Sequence, residues 1–595
     1  MLENEIRILE ILPCGSEGAQ APLKCEIRVV NLSDKPIYDT LSYRWGNSGS
    51  RKCILVDNRE CLITDNLYAA LLRMRQKDEK KTIWIDQLCI DQQNQEEKAV
   101  QVRLMGQVYS NCHQCLIWMD EVSENVRQAD AEAILDVLSW MVDRSLPVPP
   151  CTASASAFEG PINALSSIGV GVHHWWERVW TVQEAVLPSN KMFLWGPFRL
   201  SWETLTECSH VWTGTGLPAE LSDLMWKPTT PDLSAIMDRT FGWLFCNVIW
   251  INSAHSQYEE PVQTVIKWCG RRATDPKDKV FGLLGLLPPV MDRVFLDKCN
   301  YGTSVAQIYT AFTLDVILNH GNLLPLVVQQ RALRGQGTGG LPTWVCDMGD
   351  CEGRQLPHQV DRWYLRWWYE ACDACAGREL DKESLLSELE ASESKSSGDI
   401  TTLNLTGVAV DTIAIIGTRL TESAAKSSAM IAETLRSWMN IGSKYHATIA
   451  GGLVNESFSK AFFRVVVSNK IRDGEQWVER QPNNQDFTDI SKFVQTGRGT
   501  INGLEFWHRY VENQTFFVTK NGTMGLGHWE TEVGDEVWVF DGSSMPFTIR
   551  QKAVDIRDDF GYVGCCYADG IMDGEIYDEK ERRSVEGRRR TVRLH

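Results

Sequence analysis

Three short stretches of the sequence carry side chains of the kind that do chemistry on a ligand. Ser42-Tyr43-Arg44-Trp45-Gly46 sets a guanidinium between two aromatic rings, a combination suited to a phosphate and a flat base. Asp86-Gln87-Leu88-Cys89-Ile90-Asp91-Gln92 supplies two carboxyls, two amides and a thiol. Trp175-Trp176-Glu177-Arg178-Val179-Trp180-Thr181-Val182-Gln183-Glu184 places a carboxyl among indole rings. If that last stretch is one helix, Trp180 and Glu184 share a face, with Trp176 a turn earlier. A carboxyl desolvated by indoles has a raised pKa. Such a group suits proton transfer, or the stabilisation of positive charge developing on a sugar ring. The bland reading stands beside this one: Trp45 and Trp84 fill a core, the carboxyls cap helices, with Asp91 capping the helix that follows, and Glu184 pairs with Arg178 or faces solvent.

The elements that position these residues alternate. Asp39–Trp45 reads as a strand ending at Gly46. Cys53–Thr64 reads as a hairpin turning at Asp57-Asn58, and Asn66–Arg75 as a helix with Leu67, Leu71 and Met74 on one face. Thr82–Ile90 reads as a mostly buried strand, Glu97–Asn111 as a helix and Gln114–Met119 as a strand that brings Asp120 and Glu121 to its end. Ala129–Val142 and Trp175–Ala185 read as helices, Lys191–Trp195 as a strand, and Pro147–Ser156 as an inserted loop. Strands separated by helices of this length imply α/β architecture, a parallel sheet flanked by helices. Ligands of such sheets bind beyond the carboxyl ends of the strands, where the first two stretches fall.

At 595 residues the chain is too long for one ordinary domain. The reading is a first domain over 1–200, a mainly helical region over 201–335, a connector over 336–400 and an α+β to mostly-β region over 401–595. The connector contains the Ser/Glu-rich stretch Glu383–Gly398, expected to be disordered or an exposed helix end. Short strands are expected at Thr515–Thr519, Glu536–Phe540 and Phe547–Arg550. A net charge of -18 repels phosphate backbones, so no nucleic-acid partner is expected. The exception is the basic tail after Tyr577 with Arg588-Arg589-Arg590, read as a solvated terminus in preference to a nuclear address.

The start lacks the order of a secretory signal, and no apolar run reaches the ~18 residues of a membrane span, so a cytoplasmic location is expected. The 18 cysteines are then buried thiols in a reducing compartment. Two C-x-x-C pairs, Cys112/Cys115 and Cys372/Cys375, lack nearby histidines at finger spacing, and no metal is expected. Gly46–Lys52 lacks phosphate-loop spacing, there is no G-x-S-x-G elbow, and His173-His174 lacks a zinc-peptidase context.

Read in order, Leu41–Gly46 (LSYRWG), Ile63–Leu67 (ITDNL), Ile83–Gln92 (IWIDQLCIDQ), Gln101–Tyr109 (QVRLMGQVY) and Arg178–Glu184 (RVWTVQE) resemble the heterokaryon-incompatibility (HET) domain of filamentous fungi. The resemblance covers about Tyr38–Leu187. Ala273–Gly282 (ATDPKDKVFG), Leu341–Trp344 and Gly534–Glu575 resemble segments that commonly follow the domain. Asp91 stands where the family usually has asparagine, and the loop after Gly46 is shorter than usual.

The resemblance implies non-self recognition and cell death, through a fold distantly similar to flavodoxin-like TIR domains, some of which cleave NAD. On that analogy Glu184 is the catalytic residue, holding the ribose hydroxyls and stabilising an oxocarbenium-like transition state. Tyr43 or Trp45 stacks a base and Arg44 meets a phosphate. Asp86, Asp91, Gln92, Arg178 and Trp180 complete the expected binding set. NAD is implied as substrate, with no resident cofactor, and protein partners or self-association as the trigger. A non-catalytic signalling module, with Arg44, Asp86 and Glu184 as a buried network, and a degenerate family member are the alternatives.

Overall fold

The computed structural model describes residues 4–46, 49–169, 172–214, 216–226, 231–256, 260–327, 338–349, 372–395, 400–421, 427–450, 456–473, 478–498, 514–552, 558–577, 585 and 587–595. They divide into two compact units, one running to Met291 and the other beginning at Asp292.

The first unit is built on nine strands: β1 (Glu5–Ile11), β2 (Lys24–Asn31), β3 (Asp39–Tyr43), β4 (Arg51–Val56), β5 (Arg59–Thr64), β6 (Lys81–Trp84), β7 (Cys115–Trp118), β8 (Lys191–Trp195) and β9 (Phe198–Ser201). Their order across the sheet is β5-β4-β2-β1-β6-β3-β7-β8-β9. The central run β6-β3-β7-β8 is parallel throughout. Antiparallel neighbours, β1 against β6 and β9 against β8, flank it. Leu41, Ser42 and Tyr43 of β3 are all buried, as expected of a parallel strand covered on both faces. The sheet is mixed because β1 and β2, which precede the first strand expected from the sequence, extend it. The β4–β5 hairpin turns at Asp57 and Asn58, both with positive φ (49° and 61°), the residue types that tolerate a tight mirror-image turn.

The helices of this unit begin with α1 (Asp65–Met74), α2 (Asp86–Cys89), α3 (Gln95–Ser110), α4 (Gln128–Val142), α5 (Ala155–Ser167) and α6 (Trp180–Val186). Leu67, Leu71 and Met74 of α1 are buried together, the face their spacing predicts. Residues 201–291 share this unit and are helical: Trp202–Thr213, Ala219–Trp226, Pro231–Ser256, Pro261–Trp268 and the single turn Asp278–Phe281.

Four local expectations are corrected. The strand expected over Thr82–Ile90 stops at Trp84, and Asp86–Cys89 turns into α2, since the sheet ends there and the short turn satisfies its own backbone. The helix expected over Trp175–Ala185 is two pieces: a 3-10 turn, His174–Glu177, and α6, parted by Arg178 in extended conformation (φ -81°, ψ 138°). Trp176 therefore does not continue the face of Trp180 and Glu184. The loop expected over Pro147–Ser156 holds a 3-10 turn at Pro150–Ala153 and the start of α5. Finally, α3 is capped by Asn94, whose side chain accepts from the Glu96 and Glu97 amides, and not by Asp91.

In the second unit, helix Val305–His320 starts with a reciprocal Ser304/Gln307 cap and stops at Gly321 (φ 67°). The Ser/Glu-rich stretch is helical over Lys382–Lys395; residues 396–398 lie outside the described residues. The strands here are β10 (Leu403–Ile416), β11 (Ile471–Asp473), β12 (Val478–Arg480), β13 (Gln514–Thr519), β14 (Met524–His528), β15 (Glu536–Phe540), β16 (Phe547–Gln551), β17 (Asp559–Ala568) and β18 (Arg589–Leu594). Seven of them follow the order β13-β14-β17-β16-β15-β10-β18, and β13 also pairs with β10, so the ring closes as a barrel. The basic tail is not a solvated terminus. Its strand β18 pairs with β10 from Leu403↔Leu594 to Val408↔Arg589, and Arg589 and Arg590 form ion pairs with Asp541, Glu536 and Asp558. Among the described residues no helix is long and apolar enough to cross a membrane.

Candidate functional site

The carboxyl end of β3 is the junction of the site. Ser42 is fully buried, and its hydroxyl donates to Glu184 Oε2 at 2.6 Å while accepting from Trp175 Nε1 at 2.9 Å. Glu184, on α6, is 3% exposed. Burial, reinforced by the negative charge of Asp86, pushes its pKa up to about 8, against the opposing pull of Arg178 and the Ser42 hydrogen bond. The carboxyl is therefore protonated through the neutral range. Its backbone carbonyl accepts from the Cys115 thiol at 3.2 Å, which ties α6 to β7.

From this junction the polar contacts run in two directions. On one side the Tyr43 hydroxyl donates to Gln87 Oε1 (2.8 Å), and Arg178 Nη1 donates to the Tyr43 carbonyl (2.7 Å). Trp45 Nε1 donates to Asp86 Oδ2 (2.7 Å), the Gln87 amide donates to Asp86 Oδ1 (2.7 Å), and Gln92 Nε2 donates to the Asp86 carbonyl (3.0 Å). Asp86 is half-buried, and desolvation raises its pKa against the opposing effects of Arg178 and Trp45. On the other side Arg44 Nε donates to Asp120 Oδ2 at 2.6 Å, and His173 Nε2 lies 3.2 Å from the same oxygen. Burial works against the Asp120 charge, but His173 and Arg44 outweigh it and hold its pKa below the ordinary value. Asn66 braces both strand ends: its Nδ2 donates to the Arg44 carbonyl (2.8 Å) and its Oδ1 accepts from Trp118 Nε1 (2.8 Å).

The structure thus brings together Tyr43, Trp45, Asp86, Gln92, Arg178 and Glu184, with Arg44 on the adjoining Asp120–His173 branch. It does not bring in Asp91, which is exposed and whose Oδ1 accepts from the Gln93 amide in a local turn. Trp180 is half-buried at the start of α6; the indole that bonds to the Glu184–Ser42 pair is Trp175. Ser42, Asn66, His173 and Trp175 were absent from the expected set. Ser42 was detectable in principle, because it sits inside the LSYRWG stretch and alternates with Tyr43 across the strand. The partners of Asn66 and His173 are remote in sequence, and no spacing signals them.

Of the C-x-x-C cysteines, Cys112, Cys115 and Cys375 are buried thiols and Cys372 is half-buried. Cys112 donates to the Tyr109 carbonyl (3.1 Å), and Cys375 donates to the Arg378 carbonyl (3.4 Å). Among the described residues no group of three or more histidine, cysteine or acidic side chains is placed to hold a metal ion.

A mixed sheet with a parallel centre, ending in a buried acid, an arginine and aromatic rings and joined in one chain to a β-barrel, defines a two-unit α/β protein with its polar cluster at the strand ends. Residues 38–184 match the heterokaryon incompatibility protein (HET) family, and residues 500–585 match the Het-6 beta-barrel domain. These two matches are what makes the chain similar to HET-domain proteins. It is similar to heterokaryon incompatibility protein 6, OR allele, of Neurospora crassa, with 24% identity over 678 aligned residues that span 97% of this chain and 95% of the relative. No solved structure matches it.

Proposed function

We propose that this chain acts in fungal non-self recognition and the cell death that follows it, with the first unit as the effector and glycosidic cleavage of NAD as the effector step. The observation that carries the reading is the convergence of Glu184, Asp86 and Arg178 at the carboxyl ends of β3 and β6. Paired acids whose environments differ are a common signature of acid–base sites. Glu184, neutral at rest, is a proton and hydrogen-bond donor toward ribose hydroxyls. A cationic nicotinamide ribose nearby favours its ionised form, the proton passing to water. As the glycosidic bond breaks, its electron pair leaves with neutral nicotinamide and the carboxylate stabilises the oxocarbenium-like charge. A water molecule then adds to the ribose carbon and releases a proton. Half-buried Trp45 supplies aromatic surface and Arg178 a cation for the phosphates, while Tyr43 is buried. The step is an analogy with TIR domains at the level of fold, so the residues must carry it alone.

The test is nicotinamide release from NAD by the full chain. Release that disappears in Glu184→Gln, with the circular dichroism spectrum unchanged, is the expected result. No release at high protein concentration from the parent chain overturns the enzymatic reading. A second reading is favoured by the 3% exposure of Glu184 and its bond to Ser42: a satisfied buried network that fixes a non-catalytic signalling surface. Toxicity in cells that survives Glu184→Gln is the outcome that reading requires.

A further inference from the structure

The stretch Ala273–Gly282 lies beyond the residues matched to the HET family, yet it and the residues just before it reach the site. Arg178 owes its extended backbone to Arg272. The Arg272 amide donates to the Glu177 carbonyl, the Val179 amide donates to the Arg272 carbonyl at 2.9 Å, and the pair forms an isolated parallel bridge. Arg272 is held in turn from both sides. Arg271 is 8% exposed; its Nη1 donates to the Trp176 carbonyl and its Nη2 to Asn247 Oδ1 at 3.1 Å. Lys279 is 2% exposed, and its ammonium donates to the carbonyls of Arg271 and of Cys269, the latter at 3.0 Å.

Burying cations is costly, and burial, opposed by the charge of Glu177, lowers the Arg271 pKa to about 10. What the two cations grip is the backbone that pairs with Arg178, whose guanidinium reaches the site. The packing leaves little slack. A methyl on Gly282 would stand 2.8 Å from the Asp278 carbonyl and 3.2 Å from a Val179 methyl, and one on Gly285 would stand 2.9 Å from Oε1 of Gln183, the neighbour of Glu184.

We infer that Lys279 is a positioning residue: by fixing the Arg271–Arg272 backbone it sets where the Arg178 guanidinium stands relative to Tyr43, Asp86 and Glu184. The assignment rests on the Arg178–Glu184 cluster being the working site, and it extends the functional unit past the matched domain to Gly282.

The test is a double-mutant cycle in the full chain, read by hydrogen exchange at the Val182 and Leu187 amides of α6. Both bond within the helix, to the Val179 and Gln183 carbonyls, so their exchange reports its opening. Arg178→Gln raises the opening constant in the parent, and in a Lys279→Met background it raises it by a factor about fivefold smaller. Lys279→Arg, which keeps charge and donors, restores the full effect of Arg178→Gln. Additive effects, or no restoration by arginine, overturn the inference. Should Lys279→Met fail to fold, Gly282→Ala replaces it and is read the same way. The assay contains no NAD, so an additive cycle refutes the positioning role while leaving nicotinamide release to judge the enzymatic reading.

Discussion

Replacing Glu184 by glutamine gives a chain of nearly the same shape that cannot ionise, and the comparison measures how far burial has moved this carboxyl. The ordinary value is 4.5 and the folded value about 8. Between them the folded state holds a proton that the unfolded state has lost, so stability falls as pH rises through this window. The slope is about 1.4 kcal/mol per pH unit. Integrated from pH 5 to pH 8, with the curvature at both ends, the loss amounts to roughly 3 kcal/mol. Glu184→Gln has no such slope. It retains an oxygen to accept from Ser42, so near pH 5 the two chains have similar stability, and by pH 8 the variant is the more stable by roughly that amount. Urea unfolding followed by tryptophan fluorescence suits the measurement, because Trp175 bonds into the same cluster. The quantity to read is the difference between the two chains at each pH, which cancels most of the contribution of other titrating groups, including Asp86. A difference that stays flat from pH 5 to pH 8, or a parent that gains on the variant as pH rises, refutes the buried-acid reasoning.

Other consequences are open to measurement. Ser42→Ala removes both the donor to Glu184 and the acceptor of the Trp175 indole, and it is expected to cost about 1–3 kcal/mol in urea unfolding, as orphaned buried groups do. Because the lost hydrogen bond had opposed the rise of the Glu184 pKa, the pH window of that carboxyl moves upward in the same variant. In the second unit, Asp315 is buried and accepts from the Phe295 and Leu296 amides, while burial raises its pKa to about 7. Stability from this group is therefore lost as pH rises from its ordinary value toward 7, and Asp315→Asn flattens that slope in thermal melts. Gly407→Ala would set a methyl 2.5 Å from the Val539 carbonyl and 2.6 Å from the Phe540 ring. A destabilisation above about 2 kcal/mol, with loss of the barrel's near-ultraviolet dichroism, is the expected result.

The parallel centre of the first sheet was legible because its strands are short apolar runs separated by helices with one greasy face. Lys191–Trp195 and the Asp57-Asn58 hairpin sit where the sequence puts them. What sequence missed has a common cause. β1 and β2 carry Glu10, Arg28 and other charged residues whose pairing with Lys80 and Glu10 no local pattern records. The break at Arg178 is imposed by Arg272, remote in the chain, against a stretch whose own periodicity favours a continuous helix. Glu184 was readable as a carboxyl among indoles, but the indole that matters is Trp175 and not Trp180, because the break rotates the two segments relative to one another. Asp91 shows the converse: a carboxyl beside a site in sequence needs only one local amide to turn away from it.

The pairing of Leu403 with Leu594 has an implication for how the chain is made. During synthesis every strand of the N-terminal sheet emerges before the barrel begins, and β10 then waits for β18 through the production of all the other barrel strands. A ribosome that stops between β10 and β17 releases a complete polar cluster attached to an open ring, and one that stops between β17 and β18 leaves Leu403–Val408 of β10 without its partner strand. An early stop codon between β17 and β18 thus leaves the strand-end acid intact and removes the strand that covers the Leu403–Val408 edge of β10.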